Sequence, residues 1–158
     1  MRSALILSEV EGSIISSSEV QTRSVAKVLA AACLERPRDN GALVVALEGE
    51  LGSGKTTFVQ GFAKGLGIKG KILSPTFILL REAAIWHPFF KTLYHIDCYR
   101  LDNPAQELLH LGFKKIISDP HNIVVVEWAD RIKKILPKNA LWVTFSSLGT
   151  QKRKIDIK

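Results

Sequence analysis

Residues Gly49-Glu50-Leu51-Gly52-Ser53-Gly54-Lys55-Thr56 fit the spacing G-x-x-x-x-G-K-[ST] in full. The chemistry of that pattern is the capture of a polyphosphate. Glycines at Gly49, Gly52 and Gly54 let the backbone curl until successive N–H groups point into one hollow. A helix starting near Lys55 would add the positive end of its dipole. Lys55 supplies a mobile cation for β- and γ-phosphates. Thr56 supplies a hydroxyl for Mg²⁺, and Thr57 stands next in line for the α-phosphate.

A site of this kind also needs an acidic group at the end of a neighbouring buried strand. Two positions qualify. Glu127 ends Ile123-Val124-Val125-Val126-Glu127, and Asp97 ends Leu93-Tyr94-His95-Ile96-Asp97. A carboxylate there is costly to bury unless it meets a cation, which a metal-bound nucleotide provides. Ser74-Pro75-Thr76-Phe77 offers Thr76 as a loop residue that reaches the metal and the γ-phosphate. His87, His95, His110 and His121 show no ligand spacing, and His95 is expected to be packed or hydrogen-bonded.

These groups must be held by a scaffold, and the hydrophobic pattern predicts one. Val20, Val25, Val28, Leu29, Ala32 and Cys33 recur at helical spacing, so residues 19–35 read as an amphipathic helix opened by a Ser18/Gln21 capping box. Residues 42–47 and 123–126 are continuous apolar runs, suited to strands buried on both faces of a parallel sheet. A helix follows the phosphate loop and closes at Gly65 and Gly67. Residues 77–80 and 92–96 read as strands around a loop or hairpin at 82–91, with Trp86, Phe89 and Phe90 as an aromatic cluster. Residues 104–111 form a short helix, and 141–145 and 153–158 alternate like antiparallel strands at a sheet edge. The expected fold is α/β: a P-loop NTPase-type three-layer sandwich with a mainly parallel central sheet and antiparallel edge strands.

The 158 residues suit a single domain, 1–158, with a core large enough to need no disulfide or metal. Apolar residues make up 46% and charged residues 23%, which excludes a disordered or collagen-like chain. No stretch approaches the roughly 18 apolar residues of a membrane span. The run Ala4-Leu5-Ile6-Leu7 is interrupted too soon for a signal peptide. With two cysteines, Cys33 and Cys98, the chain reads as cytoplasmic, with reduced thiols and no membrane association. The net charge of +7 falls entirely in residues 131–158, where eight Lys/Arg face Asp156 alone. Such a run is either a solvated face or a surface for a polyanion.

Together, Gly49 through Phe58, Ser74-Pro75-Thr76-Phe77, His95-Ile96-Asp97-Cys98-Tyr99-Arg100-Leu101, Glu107 with Leu111-Gly112, and Val126-Glu127-Trp128 resemble the TsaE (YjeE) family over nearly the whole chain. That family is the small bacterial ATPase of tRNA threonylcarbamoyladenosine synthesis. The resemblance implies ATP and Mg²⁺ as ligands and TsaB and TsaD as protein partners. It implies tRNA as an indirect partner modified at position 37, with no DNA. The implied role is to reset the complex between turnovers, with slow ATPase activity alone and stimulation by partners. Carried over by position, Thr56 and Glu127 would bind Mg²⁺ and Asp97 would be the essential acid near the reacting phosphate, with Lys55 and Thr76 beside it. Gly52, Ser53, Gly54 and Thr57 would hold phosphates. Thr22 would contact the base, Trp128 would pack by the metal, and Lys152 or Arg153 would reach the nucleotide.

Three rival readings make different demands on the residues. A small-molecule kinase of the shikimate-kinase type needs an acidic acceptor site on the second strand and an Arg-rich lid, and residues 72–81 offer Ser-Pro-Thr-Phe instead. A GTP-dependent switch needs an Asn-Lys-x-Asp guanine reader, which the sequence lacks. A scaffold that only binds nucleotide is the third alternative and stays open, although Thr56, Asp97 and Glu127 together favour hydrolysis.

Overall fold

The computed structural model describes residues 11–70 and 79–158. The elements, in chain order, are β1 (Gly12–Ser16), α1 (Glu19–Leu34), β2 (Leu43–Gly49), α2 (Lys55–Gly65), β3 (Leu80–Ala84) and β4 (Thr92–Asp97). Then come α3 (Pro104–His110), α4 (Phe113–Ser118), β5 (Asn122–Glu127), a 3₁₀ segment (Ala129–Ile135), β6 (Leu141–Ser147) and β7 (Arg153–Ile157). The strands form one seven-stranded sheet in the order β1-β7-β6-β2-β5-β4-β3. The four central strands, β6, β2, β5 and β4, run parallel, while β3, β7 and β1 are antiparallel to their neighbours.

Strand alternation sorts the core into two layers. Leu43, Val45 and Leu47 of β2, with Ile123 and Val125 of β5, pack under α1 and α2. Val44 and Ala46, with Val124 and Val126, pack against Leu108 of α3, Phe113 of α4 and Ile132 of the 3₁₀ segment. This is the expected three-layer sandwich. Helices α1 and α2 lie so close that a Cβ at Gly65 would come 2.6 Å from Ala30 Cβ and 2.8 Å from the Lys27 carbonyl, and one at Gly61 would overlap the backbone of Arg23.

The structure corrects the edges. The pair β6–β7 is not at the sheet edge, because β6 pairs with β2 and β7 is covered by β1. The sequence Gly-Ser-Ile-Ile-Ser of β1 buries only Ser16 fully, so it carries almost no strand pattern. Backbone pairing with β7 and the Ser13 hydroxyl bonded to Asp156 hold it instead. That bond also holds the Asp156 carboxyl below its ordinary range. Strand β3 continues through Glu82 to Ala84, into what reads as loop, since an edge strand tolerates Arg81 and Glu82 facing water. The short α4 is absent from the sequence reading. The first part of the strand expected at 77–80 lies outside the described residues.

At the start of α1 the Ser18 hydroxyl accepts from the Gln21 N–H at 3.1 Å, but the Gln21 side chain takes the N–H of Ser17, at 2.6 Å, one residue before the expected partner. Cys33 and Cys98 are buried free thiols, and burial pushes both up to about 12.

Two expectations follow from this packing. Gly61→Val should force α1 from α2 and cost about 1–3 kcal/mol of stability in chemical denaturation, as overpacked sites do; an unchanged midpoint would refute the close approach. At pH 8 only about one thiol in ten thousand should be ionised in the native chain, so a thiol-exchange reagent should label neither cysteine until denaturant is added. Rapid labelling of the native protein would contradict the burial.

Candidate phosphate-binding site

The chain leaves β2 at Gly49 and enters α2 at Lys55, and the loop between forms the floor of a cavity of about 530 Å³. Its lining includes Gly52, Gly54, Lys55, Thr56, Thr57, Asp97, Glu127, Trp128 and Arg153. Gly52 and Gly54 have φ of +75° and +106°, the left-handed region that suits glycine. The Arg153 guanidinium lies against Gly54, so close that a Cβ there would displace it. Ser53 is almost fully buried beneath the loop, and its N–H donates to the Glu50 carbonyl at 3.1 Å.

Lys55 is 5% exposed. Its ammonium donates to the carbonyls of Gly49 and Glu50, and lies 4.1 Å from the centre of the Trp128 ring. Burial lowers its pKa, while Glu127, Asp97 and Asp130 act in the opposite direction. Trp128 reaches this position because its backbone is left-handed, at φ 58°. It is the only non-glycine residue with positive φ among the described residues. Tyr99 packs beside it, ring centres 4.9 Å apart. An aromatic residue in this conformation is strained, which points to a site constraint.

The carboxylate of Glu127 is 2% exposed and is held at both oxygens. The Thr56 hydroxyl donates to Oε1 at 2.8 Å, and His95 Nε2 lies 2.6 Å from Oε2. Asp97 stands beside Glu127 in the register of β4 and β5, and its Oδ1 accepts from the Tyr99 N–H at 2.9 Å. Arg131 bonds the carbonyls of Cys98 and Tyr99 and so braces the loop that carries these groups.

The sequence-predicted residues divide as follows. Gly52, Gly54, Lys55, Thr56, Thr57, Asp97, Glu127 and Arg153 come together at the cavity, with Ser53 beneath them. Thr22 is fully buried elsewhere: its hydroxyl lies 2.7 Å from that of Ser16 and 3.2 Å from the Ser18 carbonyl, and it does not line the cavity. Glu19, from the same first turn of α1, does line it. Lys152 is exposed and outside the lining, whereas Arg153 reaches it. The alternation of β7 carries that distinction, since Arg153 shares a strand face with the buried Ile155 and Ile157. Thr76 lies outside the described residues. His95 is hydrogen-bonded, as expected, and its partner, Glu127, is the part that the sequence does not name; its i,i+2 spacing to Asp97 places both on one strand face. Part of the basic C-terminal charge is used locally: Lys133 lies over Trp142, and Lys154 pairs with Asp156.

The donor set fits Mg²⁺. Thr56 and Glu127 place two hard oxygen ligands 2.8 Å apart, with Asp97 on the adjoining strand. No group of three or more His, Cys, Asp or Glu side chains makes a protein-only metal cage among the described residues. Mg²⁺ in such sites is held by one or two protein oxygens and completed by water and phosphate.

A buried parallel strand, a glycine-rich loop opening a helix, and a strand-end carboxylate bonded to that helix's threonine define a P-loop domain of the α/β class. The family profile described as "Threonylcarbamoyl adenosine biosynthesis protein TsaE" matches residues 16–155. The tRNA threonylcarbamoyladenosine biosynthesis protein TsaE of Bacillus subtilis is 36% identical over 135 residues, 85% of this chain and 77% of that one. Its counterpart in Treponema pallidum is 38% identical over 72% of this chain and 80% of its own. That of Rickettsia bellii is 37% identical over 90% and 92%. A crystal structure of Bacillus subtilis YdiB superposes with a TM-score of 0.68 at 30% identity, covering 92% of this chain and 82% of that one. The chain belongs to the TsaE family. No helix among the described residues is long and apolar enough to cross a membrane.

The placement of the two basic residues gives a direct test. If the cavity holds ATP, Arg153→Ala should weaken that binding by roughly 10- to 100-fold, the worth of one charge-assisted hydrogen bond, in a calorimetric titration. Lys152→Ala should leave it within about twofold, since an exposed charge away from the cavity contributes little. Equal losses in both variants would contradict the assignment.

Proposed function

We propose that this protein binds and hydrolyses ATP with Mg²⁺ in the biosynthesis of threonylcarbamoyladenosine at position 37 of tRNA. The proposal places it in the cytoplasm with TsaB and TsaD as partners. The observation that supports this best is the bond from Thr56 at the head of α2 to Glu127 at the end of β5, beside a buried lysine on the phosphate loop. Loop amides from Gly52 to Thr56 and the Lys55 ammonium hold the phosphate chain. Thr57 stands at its α end, and Arg153 adds a second cation beside Gly54.

Thr56 and Glu127 would hold Mg²⁺, which when bound would supply positive charge to stabilise the phosphates. Asp97 orients the water for in-line attack on the γ-phosphorus, and Thr76 serves as the switch residue of its loop. Trp128 covers the lysine and limits solvent access. In this reading Thr22 fixes the first turn of α1, which carries Glu19 to the cavity. The protein does not transfer the threonylcarbamoyl group. Hydrolysis resets the TsaB–TsaD pair between turnovers, and the names of the relatives support the pathway.

Release of γ-phosphate should be slow for the isolated protein and should rise when TsaB and TsaD are added. Lys55→Ala should abolish it in both settings, because the loss of a phosphate clamp in such sites costs orders of magnitude. Turnover equally fast with and without the partners would refute the coupling. Absence of phosphate release in either setting would refute hydrolysis.

A further inference from the structure

The buried His95 has no role in phosphate capture, yet it makes one of the shortest polar contacts in the site. The residue is 3% exposed and its Nε2 lies 2.6 Å from Glu127 Oε2. Register explains the pairing. Strands β4 and β5 run parallel with His95 opposite Val125 and Asp97 opposite Glu127, so His95 and Glu127 are diagonal neighbours on one face. The other ring nitrogen, Nδ1, is buried and has no hydrogen-bond partner among the described residues. A carboxylate oxygen accepts and does not donate, so the contact requires a proton on Nε2. A proton on Nδ1 instead would leave a buried donor unmet and turn two lone pairs toward each other. A proton on Nε2 satisfies the contact, with the unpartnered Nδ1 as its only cost.

We infer that His95 is a positioning residue: it fixes Glu127 Oε2 so that Oε1 is presented to Thr56 and to the metal. Glutamate has three side-chain torsions, and the two bonds from Thr56 and His95 hold its carboxylate from opposite sides. Without the imidazole, Oε2 loses its donor in a dry environment and the carboxylate is free to rotate away from Thr56. Groups that orient a metal ligand in this way change metal affinity without touching the metal or the nucleotide. The inference rests on the proposed reading of Thr56 and Glu127 as the Mg²⁺ ligands, and it adds a residue that reading does not use.

The test compares His95→Gln with His95→Asn. The glutamine amide nitrogen reaches about as far as imidazole Nε2, while the asparagine amide stops near the Nδ1 position. Asparagine also leaves a larger void, so the binding measured in EDTA serves as the control for a merely structural loss, which would not be confined to the Mg²⁺ response. Binding of a fluorescent ATP analogue would be titrated in EDTA and over a range of Mg²⁺. The native protein should bind more tightly with Mg²⁺. His95→Asn should need about 10- to 100-fold more Mg²⁺ for the same gain, with binding in EDTA within about twofold of native. His95→Gln should restore most of the Mg²⁺ response.

Equal responses in the two variants, or loss of EDTA binding in step with the Mg²⁺ response, would overturn the inference. If native binding ignores Mg²⁺, the metal reading fails and this inference fails with it. A native response with no difference between variants defeats the inference alone. A measurement free of substitutions stands beside these: long-range ¹H–¹⁵N NMR of the native protein should show His95 with its proton on Nε2, and a proton on Nδ1 would overturn the assignment.

Discussion

The site is organised around one constraint. A carboxylate that is 2% exposed, at the end of a strand buried on both faces, must be met by donors or it destabilises the fold by several kcal/mol. Glu127 is met by two, from different elements: the hydroxyl of Thr56 on α2 and the imidazole of His95 on β4. The neighbouring elements are set by that requirement. Helix α2 must begin at the mouth of the sheet, so the loop before it must turn sharply, and glycines stand at the turning positions. Strand β4 must lie beside β5 in the register that brings His95 diagonal to Glu127 and Asp97 alongside it.

A second layer of organisation concerns the cation. Lys55 rests on two loop carbonyls and under the face of Trp128, which itself needs an unfavourable backbone conformation to get there. Burial favours its neutral form and nearby carboxylates oppose that. An ammonium held this way is already largely desolvated, so exchanging its two carbonyls for phosphate oxygens would cost little further loss of water. Arg153 arrives from the far end of the chain, across β7, and closes the other side of the loop at Gly54. The first strand, β1, secures β7 from outside, which links the Gly-Ser-Ile-Ile-Ser segment to the placement of a cavity-lining arginine.

Much of this was legible in the sequence, and the division has physical causes. The apolar runs of β2 and β5 are long and unambiguous because both faces are buried, and the phosphate loop declares itself through fixed glycine spacing. Strand β1 left no such trace, since its stabilisation is backbone pairing with β7 and a side chain contact to Asp156. Helix α4 is too short to show a period. The His95–Glu127 bond joins residues 32 apart in the chain through the parallel register of β4 and β5, which periodicity within each strand does not specify. The choice of Arg153 over Lys152 was available from strand alternation once Ile155 and Ile157 are placed inward. Thr22 shows the converse: a polar residue in the right neighbourhood turns out to be spent on the cap of its own helix.

The most direct measurement is a crystal structure of the protein with a non-hydrolysable ATP analogue and Mg²⁺. The account predicts the phosphates against the amides of residues 52–56, Lys55 turned from its carbonyls to the phosphate oxygens, and the metal bound by Thr56 with Glu127 beside it. A triphosphate seated elsewhere, or a metal remote from the Glu127 carboxylate, would contradict it.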